Sequence, residues 1–263
     1  MRYAEYFPSP RLAMLVERFW LLEGPASGAA DAILPDGRVE LIFHYSGSFW
    51  RHGDGLGPVR QPPSLLVGQM MAPVILAPEG YAGIAAIRLR PAAARALLRF
   101  PAREVSGRFA DLDLVFPSAS RLRQQLSEAS SDEERIAALE RWLLPLHAGR
   151  PRPELDSAVG AILRTGGRAS IDALSSLTGM GVRRMERQFY EDVGLTPKAF
   201  ARIVRLQVAL RRIREGTPLG DVAAACGYYD QAHMTRDFRQ LAEMSPGGWQ
   251  THAGDLAPLF VAL

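Results

Sequence analysis

The chain has 263 residues, 48% of them hydrophobic, and a formal charge of +3, which is room for two domains of ordinary size and too little charge to imply a nucleic-acid partner by itself. No apolar run reaches the ~18 residues that span a bilayer, and Met1 to Glu5 do not lead into a signal-peptide core. The expectation is a cytoplasmic chain with no membrane partner, and its one cysteine, Cys226, leaves no internal disulfide and no four-cysteine metal site.

The N-terminal half reads as strands. Residues 3–15, with Tyr3, Tyr6, Phe7 and two prolines, predict an apolar arm or short helix. Glu17 to Glu23 predicts a strand around Phe19 and Trp20, and Ile33-Leu34-Pro35-Asp36-Gly37 a strand end and turn. Val39 to Tyr45 alternates, with Val39, Leu41 and Phe43 on one face. Gly47 to Pro63 is rich in glycine and proline and predicts a mobile connection. Strands follow at Leu65 to Gln69, Val74 to Pro78 and Tyr81 to Leu89. Many short strands at this spacing predict a small barrel or sandwich.

From Pro91 the pattern turns helical. Ala92 to Arg99, Ser118 to Ala129 and Asp132 to Leu146 predict helices. In the last, Ile136, Leu139, Leu143 and Leu146 form a stripe that would serve either as a dimer seam or as packing against the chain's own barrel. Gly149-Arg150-Pro151-Arg152-Pro153 reads as a linker. The expected division is residues 1–148, a linker at 149–153, and residues 154–254. Between Pro151 and Gly254 stand 14 basic and 11 acidic residues, so this segment carries the whole positive excess.

That segment contains an internal repeat. Ile171, Leu174, Leu177 and Gly179 are answered about 48 residues on by Leu219, Val222, Ala225 and Gly227. Arg187, Phe189 and Pro197 are answered, one residue later in offset, by Arg236, Phe238 and Pro246. Each copy is an apolar helix, a glycine turn and a polar helix with one buried aromatic, the pattern of a helix-turn-helix. The second helices, near Val182 to Asp192 and Gln231 to Leu241, bury Met185 with Phe189 and Met234 with Phe238. They leave Arg183, Arg184, Glu186 and Arg187 outward in the first copy, and Gln231, His233, Thr235, Arg236 and Arg239 in the second. Such side chains read base edges and phosphates. A long helix at Lys198 to Glu215, on the order of 26 Å, would hold the two reading helices near the ~34 Å spacing of successive major grooves.

The region from Glu154 to His252 resembles the C-terminal domain of AraC/XylS-type transcription regulators. The resemblance rests on Val222-Ala223-Ala224-Ala225-Cys226-Gly227-Tyr228, then Gln231, His233, Met234, Arg236 and Phe238, then Ser245-Pro246. Gly181 stands where the family usually has a serine N-cap, Glu243 where glycine is common, and Ala232 where a polar residue is frequent. Leu34-Pro35-Asp36-Gly37, Glu40-Leu41-Ile42-Phe43, Val67-Gly68-Gln69 and Arg88-Leu89-Arg90-Pro91 resemble the N-terminal domain found on many such regulators. The implied fold class is α+β: a small cupin-like β-barrel followed by helices, then an all-α domain with two helix-turn-helix motifs joined by a long helix.

The resemblance implies a sequence-specific DNA-binding transcription regulator and not an enzyme, controlled by a small molecule or by dimerisation through the N-terminal domain. Double-stranded DNA is the expected partner; a small-molecule effector, a second copy of the chain and RNA polymerase are candidates beside it. No cofactor or metal is expected. DNA-alkyl repair proteins pair a similar domain with a reactive cysteine, but Cys226 is expected in the core of the second motif. His44 and His52 lack the spacing of a metal pair and read as strand or surface residues. Trp20, Tyr45, Trp50 and Arg88 are candidates to line an effector pocket, with core packing the alternative for each aromatic. Lys198, Arg202, Arg211, Arg212 and Arg239 are candidate phosphate contacts, with a solvated surface role the alternative.

Overall fold

Period-two alternation places two different cores on the two faces of one sheet. In the computed structural model, which describes residues 1–52, 57–146, 149–252, 254 and 256, Phe19, Leu21, Leu41, Phe43, Ala85 and Ile87 face one side. Trp20, Leu22, Ile84 and Ala86 face the other. The strands are β1 (Arg2–Tyr6), β2 (Val16–Pro25), β3 (Asp31–Ile33), β4 (Glu40–His52), β5 (Val59–Arg60), β6 (Ser64–Val67), β7 (Val74–Leu89) and β8 (Phe109–Asp111). All pair antiparallel, in the order β1-β2-β7-β4-β6-β8, with β3 on β7 and β5 on β4.

Several expectations change here. The opening arm begins as a strand, up to Tyr6, because β1 finds an edge on β2, with Tyr3 opposite Leu22. The glycine-rich connection is largely strand: β4 continues to His52 on β7, and β5 returns along it. Gly47 marks a bulge rather than a loop; at φ +70° its α-carbon lies so near Tyr81 that a Cβ would meet the Tyr81 carbonyl at 2.4 Å. Residues 53–56 of that stretch lie outside the described residues. The two strands expected around Pro78 are one bent strand, β7, and β8 carries no alternating pattern that would announce it.

Helices α1 (Ala94–Leu98), α2 (Leu112–Val115), α3 (Ala119–Glu128) and α4 (Asp132–Leu143) cover the first face. The stripe on α4 belongs to this core: Leu139 and Leu143 are fully buried in it, with Ile136 and Leu146 packed alongside. It is therefore no free dimer seam.

The C-terminal helices are α5 (Pro153–Arg164), α6 (Ile171–Thr178), α7 (Val182–Val193), α8 (Pro197–Arg214), α9 (Leu219–Ala225), α10 (Gln231–Leu241) and α11 (Pro246–Gln250). Prolines open α5, α8 and α11, where the missing N–H costs nothing. Their core includes Ala32 and Leu34 of the sheet domain, so the apolar packing is continuous across the two halves.

The Leu34–Gly37 turn is the main joint. The buried Gln207 side chain on α8 donates to the Pro35 carbonyl at 2.7 Å. Gly37, at φ +77°, leaves no room for a side chain: a Cβ would stand 2.8 Å from the Phe200 ring. Asp36 turns inward to Arg88 at 3.3 Å. Elsewhere Ser106 donates to the Gly194 carbonyl at 2.6 Å, and Arg95 and Arg152 flank Asp192. Beyond α11, the Asp31 carboxylate receives the Leu256 amide at 2.6 Å and lies 2.8 Å from His252 Nε2.

Candidate DNA-binding site

In the first motif the Ser170 hydroxyl accepts from the Ala173 amide at 3.1 Å and caps α6. Gly179 ends α6 in the left-handed region at φ +65°. Gly181 supplies no side-chain cap to α7. Met185 and Phe189 are buried, Phe189 lying 5.9 Å from Phe200 between ring centres. Arg183, Arg184 and Arg187 are thereby turned to solvent, with Glu186 half-buried beside them.

Leu177, expected on the inner face of α6, is 52% exposed. At 3.6 residues per turn the buried partner of Leu174 is four residues on, at Thr178, so Leu177 rotates outward. The second motif repeats this: Val222 and Cys226 are buried while Ala225 is exposed.

In the second motif Gly227 turns at φ +73° and Asp230 caps α10, its carboxylate accepting from the His233 amide at 2.6 Å. Met234 and Phe238 are buried. Gln231, Arg236 and Arg239 are exposed, His233 and Thr235 half-buried. The Thr235 hydroxyl donates back to the Gln231 carbonyl at 2.9 Å.

Asp237 follows Arg236 directly in the chain. The structure gives it to Arg202 of α8 instead, at 2.8 Å, with Gln240 completing the clamp. Arg202 therefore fixes α10 against α8, and Arg236 is left to solvent. Lys198 and Arg211 are exposed and Arg212 half-buried. One exposed aromatic escaped the pattern: Tyr229, 93% exposed, stands in the turn before α10. Its signal was the Tyr228-Tyr229 pair, since only Tyr228 can take the buried place.

Cys226 is buried, and burial pushes its thiol pKa up despite nearby arginines. A thiolate nucleophile wants the opposite, so this cysteine is packing. Glu243, where glycine is common in the resembled family, has φ +54°. Glu243→Gly should raise stability by up to about 1 kcal/mol by removing the Cβ penalty of the left-handed region; a thermal melt checks it, and a loss of stability would refute it.

The sheet domain holds a cavity of about 80 Å³, lined among others by Trp20, Leu34, Asp36, Glu40, His44 and Leu256. Of the four residues expected there, Trp20 lines it. Arg88 lies behind Glu40 in a buried ion pair, Nε to Oε1 2.8 Å. Tyr45 and Trp50 are elsewhere because carboxylates hold them, Tyr45 bonding Glu23 and Trp50 bonding Glu79.

His44 lies edge-on to Phe49, and burial pulls its pKa from 6.5 to about 4. Between those values the unfolded chain binds a proton here that the folded chain refuses. The stability contributed by the neutral ring is complete above pH 6.5 and is lost as pH falls towards 4, by up to about 3 kcal/mol. Denaturation midpoints across that window should fall for the native chain and fall less for His44→Leu; parallel slopes would contradict the assignment.

Two helix-turn-helix units, α6–α7 and α9–α10, bridged by the single helix α8, define a double helix-turn-helix domain. Residues 174–252 match a family model described as a helix-turn-helix domain, and residues 4–111 one described as a domain of unknown function (DUF6597). The residues that carry the AraC/XylS resemblance lie on the segment this helix-turn-helix model matches.

Over 87 residues the chain is 29% identical to the HTH-type transcriptional regulator MtrA of Neisseria gonorrhoeae, covering 32% of this chain and 29% of MtrA. It is 33% identical over 82 residues to the probable transcriptional regulator LumQ of Photobacterium leiognathi, 31% of this chain and 33% of LumQ. It is 30% identical over 76 residues to the HTH-type transcriptional activator RhaS of Escherichia coli, 28% of this chain and 27% of RhaS. The matches thus span about a third or less of these relatives. Among solved structures, ToxT from Vibrio cholerae O395 aligns with TM-score 0.48 and 9% identity over 88% of this chain and 96% of ToxT. No described helix is long and apolar enough to cross a membrane.

Proposed function

We propose that the chain is a sequence-specific DNA-binding transcription regulator, acting in the cytoplasm. Residues 154–254 read the DNA, and residues 1–148 control them across the segment 149–153. The observation that carries this reading is the duplicated motif with its two outward rows: Arg183, Arg184, Glu186 and Arg187 on α7, and Gln231, His233, Thr235, Arg236 and Arg239 on α10. Helix α8 bridges them over 18 residues, about 27 Å of rise, which suits neighbouring major-groove segments.

Control by a small molecule is favoured by one arrangement. Leu34, Pro35 and Asp36 line the sheet-domain cavity, and the Pro35 carbonyl holds Gln207 of α8. A ligand that moved this turn would shift the helix bridging the two motifs, and so bias one domain arrangement over another. A second copy of the chain and RNA polymerase are the further partners this reading calls for.

The test is selection of binding sites from a random duplex library with the full chain, followed by salt titration of the winner. Expected is one enriched motif with two half-sites about one helical turn apart. No enrichment by the full chain, and none by the segment from Pro153 onward, would overturn the proposal.

A further inference from the structure

The start of α10 is capped from both sides. Asp230 accepts from the His233 amide at 2.6 Å, and His233 Nδ1 in turn accepts from the Tyr229 amide at 3.3 Å. This is close to the reciprocal arrangement of a capping box, with an imidazole in the place usually held by Glu or Gln and with the amide of Tyr229, one residue before the N-cap Asp230, as its donor. It differs from that box in one chemical respect. A ring nitrogen that accepts an N–H bond carries no proton, so the single N–H of this imidazole sits on Nε2. The ring is also held edge-on against Tyr228, centroids 5.4 Å apart and planes at 89°, which limits its rotation. Met234 and Phe238 anchor the far side of the helix, and His233 opens onto the groove it shares with Lys198 and Arg236.

Resting on the DNA-reading function proposed above, we propose that His233 is a donor-only reader that selects guanine. The cap spends its acceptor, and what it presents outward is one fixed N–H. In the major groove guanine offers two adjacent acceptors, N7 and O6. Adenine sets its N6 donor beside N7, and cytosine offers a donor. A lone N–H therefore finds two acceptors at guanine, against one at thymine, O4 beside its methyl group, one at adenine, N7 beside the N6 donor, and none at cytosine. The fixed tautomer separates His233 from Gln231 on the same helix: an amide can turn over to donate or accept, whereas this ring cannot without giving up the Tyr229 bond.

The experiment takes the duplex selected by the full chain and replaces each enriched guanine in turn by 7-deazaguanine, which removes the N7 acceptor and keeps the base pair. Binding is measured for the native chain and for His233→Asn. Asparagine retains an acceptor near the position of Nδ1 for the Tyr229 amide, but ends short of the groove. One guanine should weaken native binding about 2–10-fold when deaza-substituted, the value of one hydrogen bond. The same replacement should cost His233→Asn nothing, with an unchanged melting temperature. Equal losses for both proteins at every guanine, or a selected α10 half-site without guanine, would show that His233 only caps its helix, and the regulator reading would stand. Failure of the native chain to select any site would overturn both.

Discussion

Replacing Arg88 by alanine should lower the stability of the chain by about 3–5 kcal/mol. The Arg88 side chain is 3% exposed and lies 2.8 Å from the Glu40 carboxylate and 3.3 Å from that of Asp36. Trp20 Nε1 also donates to Glu40, at 2.9 Å. Burial pushes Glu40 towards its neutral form, and Arg88 is the main force holding it charged. Alanine would leave that carboxylate in the interior with the indole as its remaining hydrogen-bond donor among the described residues. Urea denaturation measures the loss; less than about 1 kcal/mol would mean that water reaches the pair. Arg88→Met with Glu40→Leu should be far milder, since both the charge and its counter-charge go together. Because Glu40 and Asp36 line the cavity and Asp36 belongs to the joint on α8, the single variant should also loosen the contact between the two halves.

The second large effect is on DNA. Arg183→Ala with Arg236→Ala should weaken binding to the selected site by about 2–6 kcal/mol, roughly 30-fold to 10⁴-fold. Each arginine of a good bidentate pair contributes about 1–3 kcal/mol. The two are exposed, stand on different helices and share no partner among the described residues, so their losses should add. The melting temperature should stay unchanged. Lys198→Ala should act otherwise, weakening all duplexes alike and lowering the salt slope by about one. A double variant that bound the selected site as tightly as the native chain would remove these arginines from the reading surface.

The C-terminal half was largely legible because its signals are local. Glycine at Gly179 and Gly227 is demanded by φ of +65° and +73°, and apolar spacing set α7, α8 and α10 nearly to the residue. The N-terminal half was less so. Whether Tyr3 lies in an arm or a strand depends on β2 offering an edge, and whether Gly47 lies in a loop or a bulge depends on Tyr81 across the ladder. Neither partner is near in sequence. The pocket candidates divide for the same reason: Trp20 lines the cavity, whereas Arg88 is taken by Glu40, 48 residues away, and Trp50 by Glu79.

The sequence by itself therefore determined the duplicated helix-turn-helix, the elements that carry the candidate reading residues, and the alternation that builds a two-faced sheet. Each follows from periodicity and backbone preference within a few turns of chain. Tertiary structure alone decided which charges are free to read and which are spent on packing. Arg202 and Arg236 look alike in the sequence, but Asp237 can satisfy only the one that α8 brings to 2.8 Å. It likewise decided that Leu34–Gly37, a plain turn by its residues, is the joint between the halves, because only the folded chain sets Gln207 and Phe200 against it.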